Sequence, residues 1–549
     1  MKRQQYTGLF VAGLALALTT LACGLFNFGS DGPPRNAVVV NVMANTSLQP
    51  WLETAVSDFN NASIENSDGD PYYAEITYAD AGQAVTEIAD GAAPTLWIPD
   101  ETVWTNLLAE QGIDTYQADC TSVANSPLVI GMWREVAESL GWPGLPLGWL
   151  DIGSLAADPS AWNYYSGGQL GNAFRLGHTH PGLSGTGAST LLAVVQAAQA
   201  KTDAVTAADI QQPIVQASVS AFEGGVTTFS SDTNALGATM SARGISYLSA
   251  AIMYESTVLH FGNGDIVPVY PLEGTFMATH PACINQSAAA STVAGAEAFR
   301  DYLLGDAAQQ TAVSVGLRPV NDSVTIGAPL IEANGVDLSQ PVNVFNTPSV
   351  DTIYAVQDLW QTARKDVNLV MLLDTSGSMR GSKMEGMLEA AVSFVEQMGD
   401  DDTISIIAFS TEPELIANQI NIGENREKVV RAVQNLQAQG DTTLFDAIGD
   451  GANLIAETTT IDTTNAMVVL TDGQDTRSYR FTSGSAAQAA LASNATVFTI
   501  AYGNDADEQT LSSLATQANG NFYQGDEASI VAIYEEMSAA FGGSVGVGR

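Results

Sequence analysis

Asp374, Ser376 and Ser378 stand at alternate positions of Asp374-Thr375-Ser376-Gly377-Ser378. In an extended or tightly turned segment that spacing points one carboxylate and two hydroxyls to the same side. The apolar run Leu369-Val370-Met371-Leu372-Leu373 just before them reads as a buried strand, so the three oxygens gather at the mouth of a sheet. Such hard donors suit Mg²⁺, Mn²⁺ or Ca²⁺.

A second stretch with chemical potential is Gly182-Leu183-Ser184-Gly185-Thr186-Gly187-Ala188-Ser189, ahead of a helix expected from Thr190. Glycine-rich backbone at a helix N-terminus offers free N–H groups and a positive dipole end, which suit an anion or carboxylate. It is neither a Walker loop, lacking Gly-Lys, nor a dinucleotide fingerprint, since Thr190 stands where the third glycine belongs. Ser184, Gly185 and Thr186, with Asn45, Thr46 and Ser47, are the candidate lining of a cleft; an ordinary turn before a capped helix is the competing reading. His178 and His180 lack further ligands for zinc and read as surface or cleft histidines in a loop. There is no HExxH and no G-x-S-x-G elbow, and nothing demands an enzyme.

A chain of 549 residues at 46% hydrophobic suffices for two or three cored domains. Nineteen Lys+Arg against sixty Asp+Glu give a formal charge of −41, which argues against nucleic acid and anionic lipid surfaces as partners. Charged residues are only 14% of the chain, so the acidity reflects scarce lysine, and solubility explains it. Met1-Lys2-Arg3 and the apolar stretch to Ala22 read as a signal sequence. Its end, Thr20-Leu21-Ala22-Cys23, resembles a bacterial lipobox, with Thr20 where leucine is usual. The resemblance implies export with lipidation at Cys23 and anchoring to the outer face of the cell membrane; an uncleaved anchor or plain secretion is the alternative. In an oxidising space the remaining pair, Cys120 and Cys283, allows one disulfide.

The expected organisation is a signal peptide at 1–23, a tether at 24–36, a first domain at 37–364, a second at 365–541 and a tail at 542–549. In the first domain, strands over 37–43, 74–78 and 95–99 alternate with helices, one carrying Trp51, Ala55 and Phe59 at i, i+4, i+8. The alternation predicts an α/β fold with largely parallel sheets. An amphipathic helix over 353–364 should close this domain. The second domain predicts strands at 368–373, 403–409, 467–470 and 496–501, with helices at 382–398, 424–437, 444–457, 507–517 and 529–541. Ser382-Lys383-Met384-Glu385 has capping-box spacing. This is a doubly wound sheet, which places ligands at C-terminal strand ends.

Two family resemblances follow from these motifs. Asn45-Thr46-Ser47, Pro94-Thr95-Leu96-Trp97-Ile98-Pro99-Asp100, Ser126-Pro127-Leu128-Val129-Ile130, Gly177-His178-Thr179-His180-Pro181, Tyr254-Glu255-Ser256 and Val269-Tyr270-Pro271-Leu272-Glu273-Gly274-Thr275 occur in the order of bacterial extracellular solute-binding proteins of the two-lobed periplasmic type. That resemblance implies two α/β lobes closing on a small solute, with Tyr254 near the cleft and Glu255 either orienting a cationic ligand or ending a helix. Asp374-Thr375-Ser376-Gly377-Ser378 matches the DxSxS signature of von Willebrand factor A domains, Gly440-Asp441-Thr442-Thr443 resembles their Gly-Gly-Thr loop, and Leu470-Thr471-Asp472-Gly473 matches their Thr-Asp-Gly strand end. This implies a metal-ion-dependent adhesion site made by Asp374, Ser376, Ser378, Thr442 and Asp472. Its neutral hydroxyls leave Mg²⁺ (or Mn²⁺ or Ca²⁺) short of negative charge, and an acidic side chain of a protein partner completes the shell. Asp441 departs from the family's glycine, and Thr443 replaces Thr442 if the loop shifts by one.

The function expected from both resemblances is a non-catalytic cell-surface protein coupling small-solute recognition to metal-dependent protein binding. The alternatives are a transporter receptor with a docking adaptor, or an adhesion module on a degenerate solute-binding scaffold. Metal-assisted hydrolysis would need a general base, for which Asp441 is the sole candidate.

Overall fold

Three of the apolar runs pair side by side at the start of the first lobe. Strands Val38–Ala44, Tyr72–Tyr78 and Leu96–Ile98 are parallel, with the first in the middle. Helix Gln49–Ala62 lies on this sheet and buries Trp51, Ala55 and Phe59, the residues its periodicity singled out. The computed structural model describes residues 32–460 and 463–542. The signal segment 1–23 with Cys23, tether residues 24–31 and tail residues 543–549 lie outside the described residues. Among the described residues no helix is long and apolar enough to cross a membrane.

Neither sheet of the first domain is largely parallel. Pro281–Ile284 joins the first sheet antiparallel to Leu96–Ile98, and Cys120–Ser122 pairs antiparallel beyond it. Only residues 279–280 separate Pro281–Ile284 from Met277–Ala278 of the second lobe, so this strand enters the first sheet directly from the other lobe and not through a helical crossover on the first. Cys120 and Cys283 are register partners there, their Cα atoms 4.1 Å apart, and form a disulfide. The second lobe is also mixed: Leu176–Thr179 runs parallel to Val226–Ser230 and Ala250–Tyr254, whereas Ser126–Trp133 is antiparallel to Ala250–Tyr254 and Ile266–Val269. One buried apolar cluster runs through both lobes, including Val85, Trp97, Trp104 and Leu107 from the first and Leu128, Leu191 and Ile252 from the second. Helix Val350–Ala363 adds Ile353, Val356 and Trp360 to the same cluster.

Past that helix, Arg364 forms a bidentate pair with Asp402, both N···O distances 2.9 Å and both side chains almost fully buried. The chain then enters the central strand of the second domain, Asp366–Asp374. Its sheet runs Pro413–Asn421, Thr403–Phe409, Asp366–Asp374, Thr463–Thr471, Thr496–Tyr502, Phe522–Gly525, parallel except for the first. Leu369, Met371 and Leu373 face one helical layer and Val370 and Leu372 the other, the period of two that buries both faces. Strand order reverses between Asp366–Asp374 and Thr463–Thr471, which puts Asp374 and Asp472 at the topological switch point.

The second lobe meets this domain at the N-terminal ends of its strands. The Arg243 guanidinium donates to the carbonyls of Thr516, Asn519 and Gly520 and to Asn521 Oδ1. Helix Ser382–Gln397 starts at Ser382 without a capping box: Gly381 precedes it at φ 86°, and the Ser382 hydroxyl donates instead to Glu527.

Candidate functional site

The central strand delivers Asp374 fully buried at its end. One carboxylate oxygen accepts from the Ser376 backbone N–H at 2.8 Å, and the other from the Thr471 hydroxyl at 2.6 Å. The Ser376 and Ser378 hydroxyls are 2.9 Å apart, and Ser378 donates to Asp472 Oδ1 at 2.7 Å. Four of the five expected metal ligands are thus brought together from two neighbouring strand ends. Burial pushes the Asp374 carboxyl up to about 6 against the hydrogen bonds from Thr471 and Ser376, with the Asp472 charge adding to the rise.

The third loop is tied to the first through backbone. Gly377 N–H donates to the Gly440 carbonyl at 3.0 Å and Gln439 N–H to the Thr375 carbonyl at 2.7 Å, which carries Thr442 alongside. Gly440 is required there, at φ 80°, because a Cβ would sit 2.3 Å from the Thr411 hydroxyl. Thr442 is held by its own N–H to Thr476 Oγ1 and by its carbonyl, which accepts from Thr476 and Arg477 N–H. The Thr443 hydroxyl instead donates to the Ser410 carbonyl at 3.0 Å. Asp441 lies at the half-exposed rim, 3.1 Å from the Arg477 guanidinium, so its charge already has a counterion.

Three contributors escaped the sequence reading. Thr471 orients Asp374. Lys383 places its ammonium 2.6 Å from Asp472 Oδ2. Asp446, fully buried, accepts from the backbone N–H groups of Tyr479, Arg480 and Phe481 and so fixes the loop after Asp472. A lysine in a chain so poor in cations was the available signal for Lys383. Asp374, Ser376, Ser378, Thr442 and Asp472 supply hydroxyl and carboxylate oxygens only, a donor set that fits a hard divalent cation. Among the described residues no group of three or more His, Cys, Asp and Glu side chains converges for a metal, so the hydroxyls are integral to this fit.

The glycine-rich stretch is not a loop before Thr190 but the first turn of helix Gly185–Gln199, with Ser184 at its N-cap position. Ser184, Thr46 and Tyr254 converge between the lobes on two carboxylates of the chain itself, with the Thr186 hydroxyl behind them against Ser184. Asp80 accepts from Thr46, Ser184 and Thr233, while Tyr254 donates to Asp100 at 2.6 Å. Gly185 is the close-approach residue, since a Cβ would lie 1.8 Å from Asp100 Oδ2. Asn45 does not reach this centre; its side-chain oxygen accepts from Ser47 N–H and hydroxyl. Burial pushes the Asp80 carboxyl up to about 7, with the Asp232 charge adding to the rise, and burial pushes Asp100 up to about 6.

The histidine pair is core, not surface. His178 and His180 are buried, and His178 Nε2 lies 3.0 Å from Glu223, whose other oxygen accepts from the Trp360 indole at 3.0 Å. Glu255 starts helix Glu255–Gly262 and is held by Arg318 through two bonds of 2.7 and 2.6 Å, so its charge is already paired within the chain.

The bacterial extracellular solute-binding protein family matches residues 40–318, and the von Willebrand factor type A domain family matches residues 368–536. Among curated proteins, the uncharacterized protein sll0103 of Synechocystis sp. is 26% identical over 158 residues, 29% of this chain and 37% of that protein. Inter-alpha-trypsin inhibitor heavy chain H4 of Sus scrofa is 28% identical over 128 residues, 22% of this chain and 14% of that protein. These alignments therefore span well under half the length of either relative. Of solved structures, the periplasmic binding protein P5PA aligns with 60% of this chain and 99% of its own at 14% identity and TM-score 0.44. A von Willebrand factor type A protein from Catenulispora acidiphila aligns with 32% of this chain and 42% of its own at 20% identity and TM-score 0.30.

Proposed function

Because the chain belongs to the bacterial extracellular solute-binding proteins and carries a von Willebrand factor type A domain behind that part, we propose that it is an exported, non-catalytic binding protein that joins a small-solute domain to a Mg²⁺- or Mn²⁺-dependent protein-binding domain. The observation that carries the reading is the convergence of Asp374, Ser376, Ser378 and Asp472 at the switch point, within hydrogen-bond contact of one another and backed by the Thr442 loop. Asp374, Ser376, Ser378, Thr442 and Asp472 would hold the cation. The chemistry a bound divalent cation supplies here is an open coordination position for a carboxylate of the partner. Thr471 and the Ser376 N–H keep the Asp374 carboxylate oriented, and Asp446 keeps the neighbouring loop in place. The first domain is anchored to the membrane through Cys23 in this reading, and the Arg364–Asp402 pair joins it to the second domain.

The test is thermal unfolding of the full chain with and without Mg²⁺ or Mn²⁺. At one hundred times the dissociation constant, metal should stabilise the second domain by about 2.7 kcal/mol. The shift should vanish in Asp374→Ala; a parent chain indifferent to both metals would refute the reading. A second measurement, capture of an acidic peptide that EDTA reverses, tests the partner class.

A further inference from the structure

Asp80 occupies the N-cap position of helix Ala81–Ala89, where an aspartate ordinarily accepts a hydrogen bond from its own helix. Its side chain makes no such bond. The carboxylate crosses instead to the other lobe, fully buried. Oδ1 accepts from Thr46 N–H at 3.3 Å and Thr46 hydroxyl at 2.5 Å; Oδ2 accepts from the Ser184 hydroxyl, from Thr233 N–H at 3.3 Å and from Thr233 hydroxyl at 3.2 Å. All five contacts are donors.

Their origin gives the arrangement its meaning. Thr46 opens the 3-10 turn leading into helix Gln49–Ala62, Ser184 is the N-cap of helix Gly185–Gln199, and Thr233 opens helix Thr233–Arg243. The backbone N–H groups of Thr46 and Thr233 and the hydroxyls of Thr46, Ser184 and Thr233, all at helix starts, therefore face one point between the lobes, the arrangement that receives an anion. Behind it the hydroxyl of Thr186 lies 2.9 Å from Ser184, 2.8 Å from Thr233 and 2.6 Å from Thr179, locking the donors in orientation. The backbones close as tightly as the side chains. Gln83 N–H donates to the Leu183 carbonyl at 3.0 Å, and a Cβ on Gly82 would stand 2.2 Å from the Gly182 carbonyl oxygen.

We infer that Asp80 is a built-in occupant of the solute seat: its carboxylate takes the place of a solute's anionic group, holds the two lobes shut and bars free small anions from the cleft. The inference rests on the solute-binding assignment of the first domain and is independent of the metal reading. It sets the solute class by exclusion, because the remaining cleft carboxylate, Asp100, and the neighbouring Asp232 repel anions as well.

The experiment uses the full chain in EDTA, so that the second domain's metal takes no part, at pH 8 and constant ionic strength. Acetate, the equivalent of the aspartate side chain, and sulfate replace chloride stepwise. Thermal unfolding and titration calorimetry should show no saturable response in the natural chain. Asp80→Gly should melt lower and recover several degrees saturably with acetate, while Asp80→Asn, whose amide still fills the seat, should not respond. If Asp80→Gly does not fold, Asp80→Ser carries the same test with a shorter side chain. Saturable binding of acetate or sulfate by the natural chain would overturn the inference, as would a folded Asp80→Gly or Asp80→Ser indifferent to both anions.

Discussion

The interlobe centre and the strand-end centre are built from the same parts and are opposite in availability. Each sets buried carboxylates among serine and threonine hydroxyls where backbone ends point inward. Around Asp80 five donors from three helix starts already meet both carboxylate oxygens. Around Asp374 and Asp472 the hydroxyls of Ser376 and Ser378 face one another, and the one nearby ammonium, Lys383, approaches from a partly exposed side. A residue inventory does not distinguish a binding site from a strut; what distinguishes these two is access, since Asp80, Ser184 and Thr233 are buried between the lobes whereas Ser378 is exposed and Lys383 partly so.

The contrast can be broken at the junction first. Arg364→Ala leaves the Asp402 carboxylate buried without its counterion and should cost about 3–5 kcal/mol, read by denaturant unfolding. If the two centres are independent, the surviving folded fraction keeps its metal response. The next effect is pH. The folded value of Asp80, about 7, lies above the usual 3.8, so the unfolded chain gives up that proton first. The contribution of this group to stability is therefore full below pH 4 and is lost as pH rises through 7, by at most about 1.4 kcal/mol per pH unit. Asp80→Asn should flatten that slope in metal-free unfolding curves, whereas Lys383→Met should leave it unchanged. Lys383→Met should act at the other centre: removing a competing ammonium from Asp472 should tighten Mg²⁺ by about 1 kcal/mol, roughly fivefold, in a calorimetric titration. The smallest effect is expected for Asp441→Gly, whose partner Arg477 is more than half exposed; stability should move by less than about 0.5 kcal/mol, and Mg²⁺ affinity little.

The periodic parts of the fold were legible because burial writes itself into local sequence. Both faces of Asp366–Asp374 are covered, hence its unbroken apolar run, and the helix of Trp51, Ala55 and Phe59 shows one apolar stripe. Elements with little to bury left little trace. The edge strand Pro413–Asn421 is half exposed, helix Ser483–Ala492 is a run of small residues, and strand Phe522–Gly525 has four residues. The same logic divides the sites. Asp374, Ser376 and Ser378 are neighbours in the chain and announce themselves. Asp80 meets Ser184 and Thr233 across separations of 104 and 153 residues, and locally it looks like any helix cap. Lys383 was masked by an apparent capping box that Gly381 makes unnecessary. The parallel-sheet expectation for the first domain failed because the chain passes between its lobes, so that Pro281–Ile284 and Cys120–Ser122 join the first sheet antiparallel, a pairing no single stretch reveals.

The contact made by Arg243 also decides from which side the outside world meets this molecule. It clasps the ends of the second domain's sheet where strands begin, and Asp374 and Asp472 sit where strands finish. The Arg243 clasp and the two carboxylates therefore occupy opposite ends of one sheet, so the contact with the first domain leaves the strand ends that carry Asp374 and Asp472 untouched.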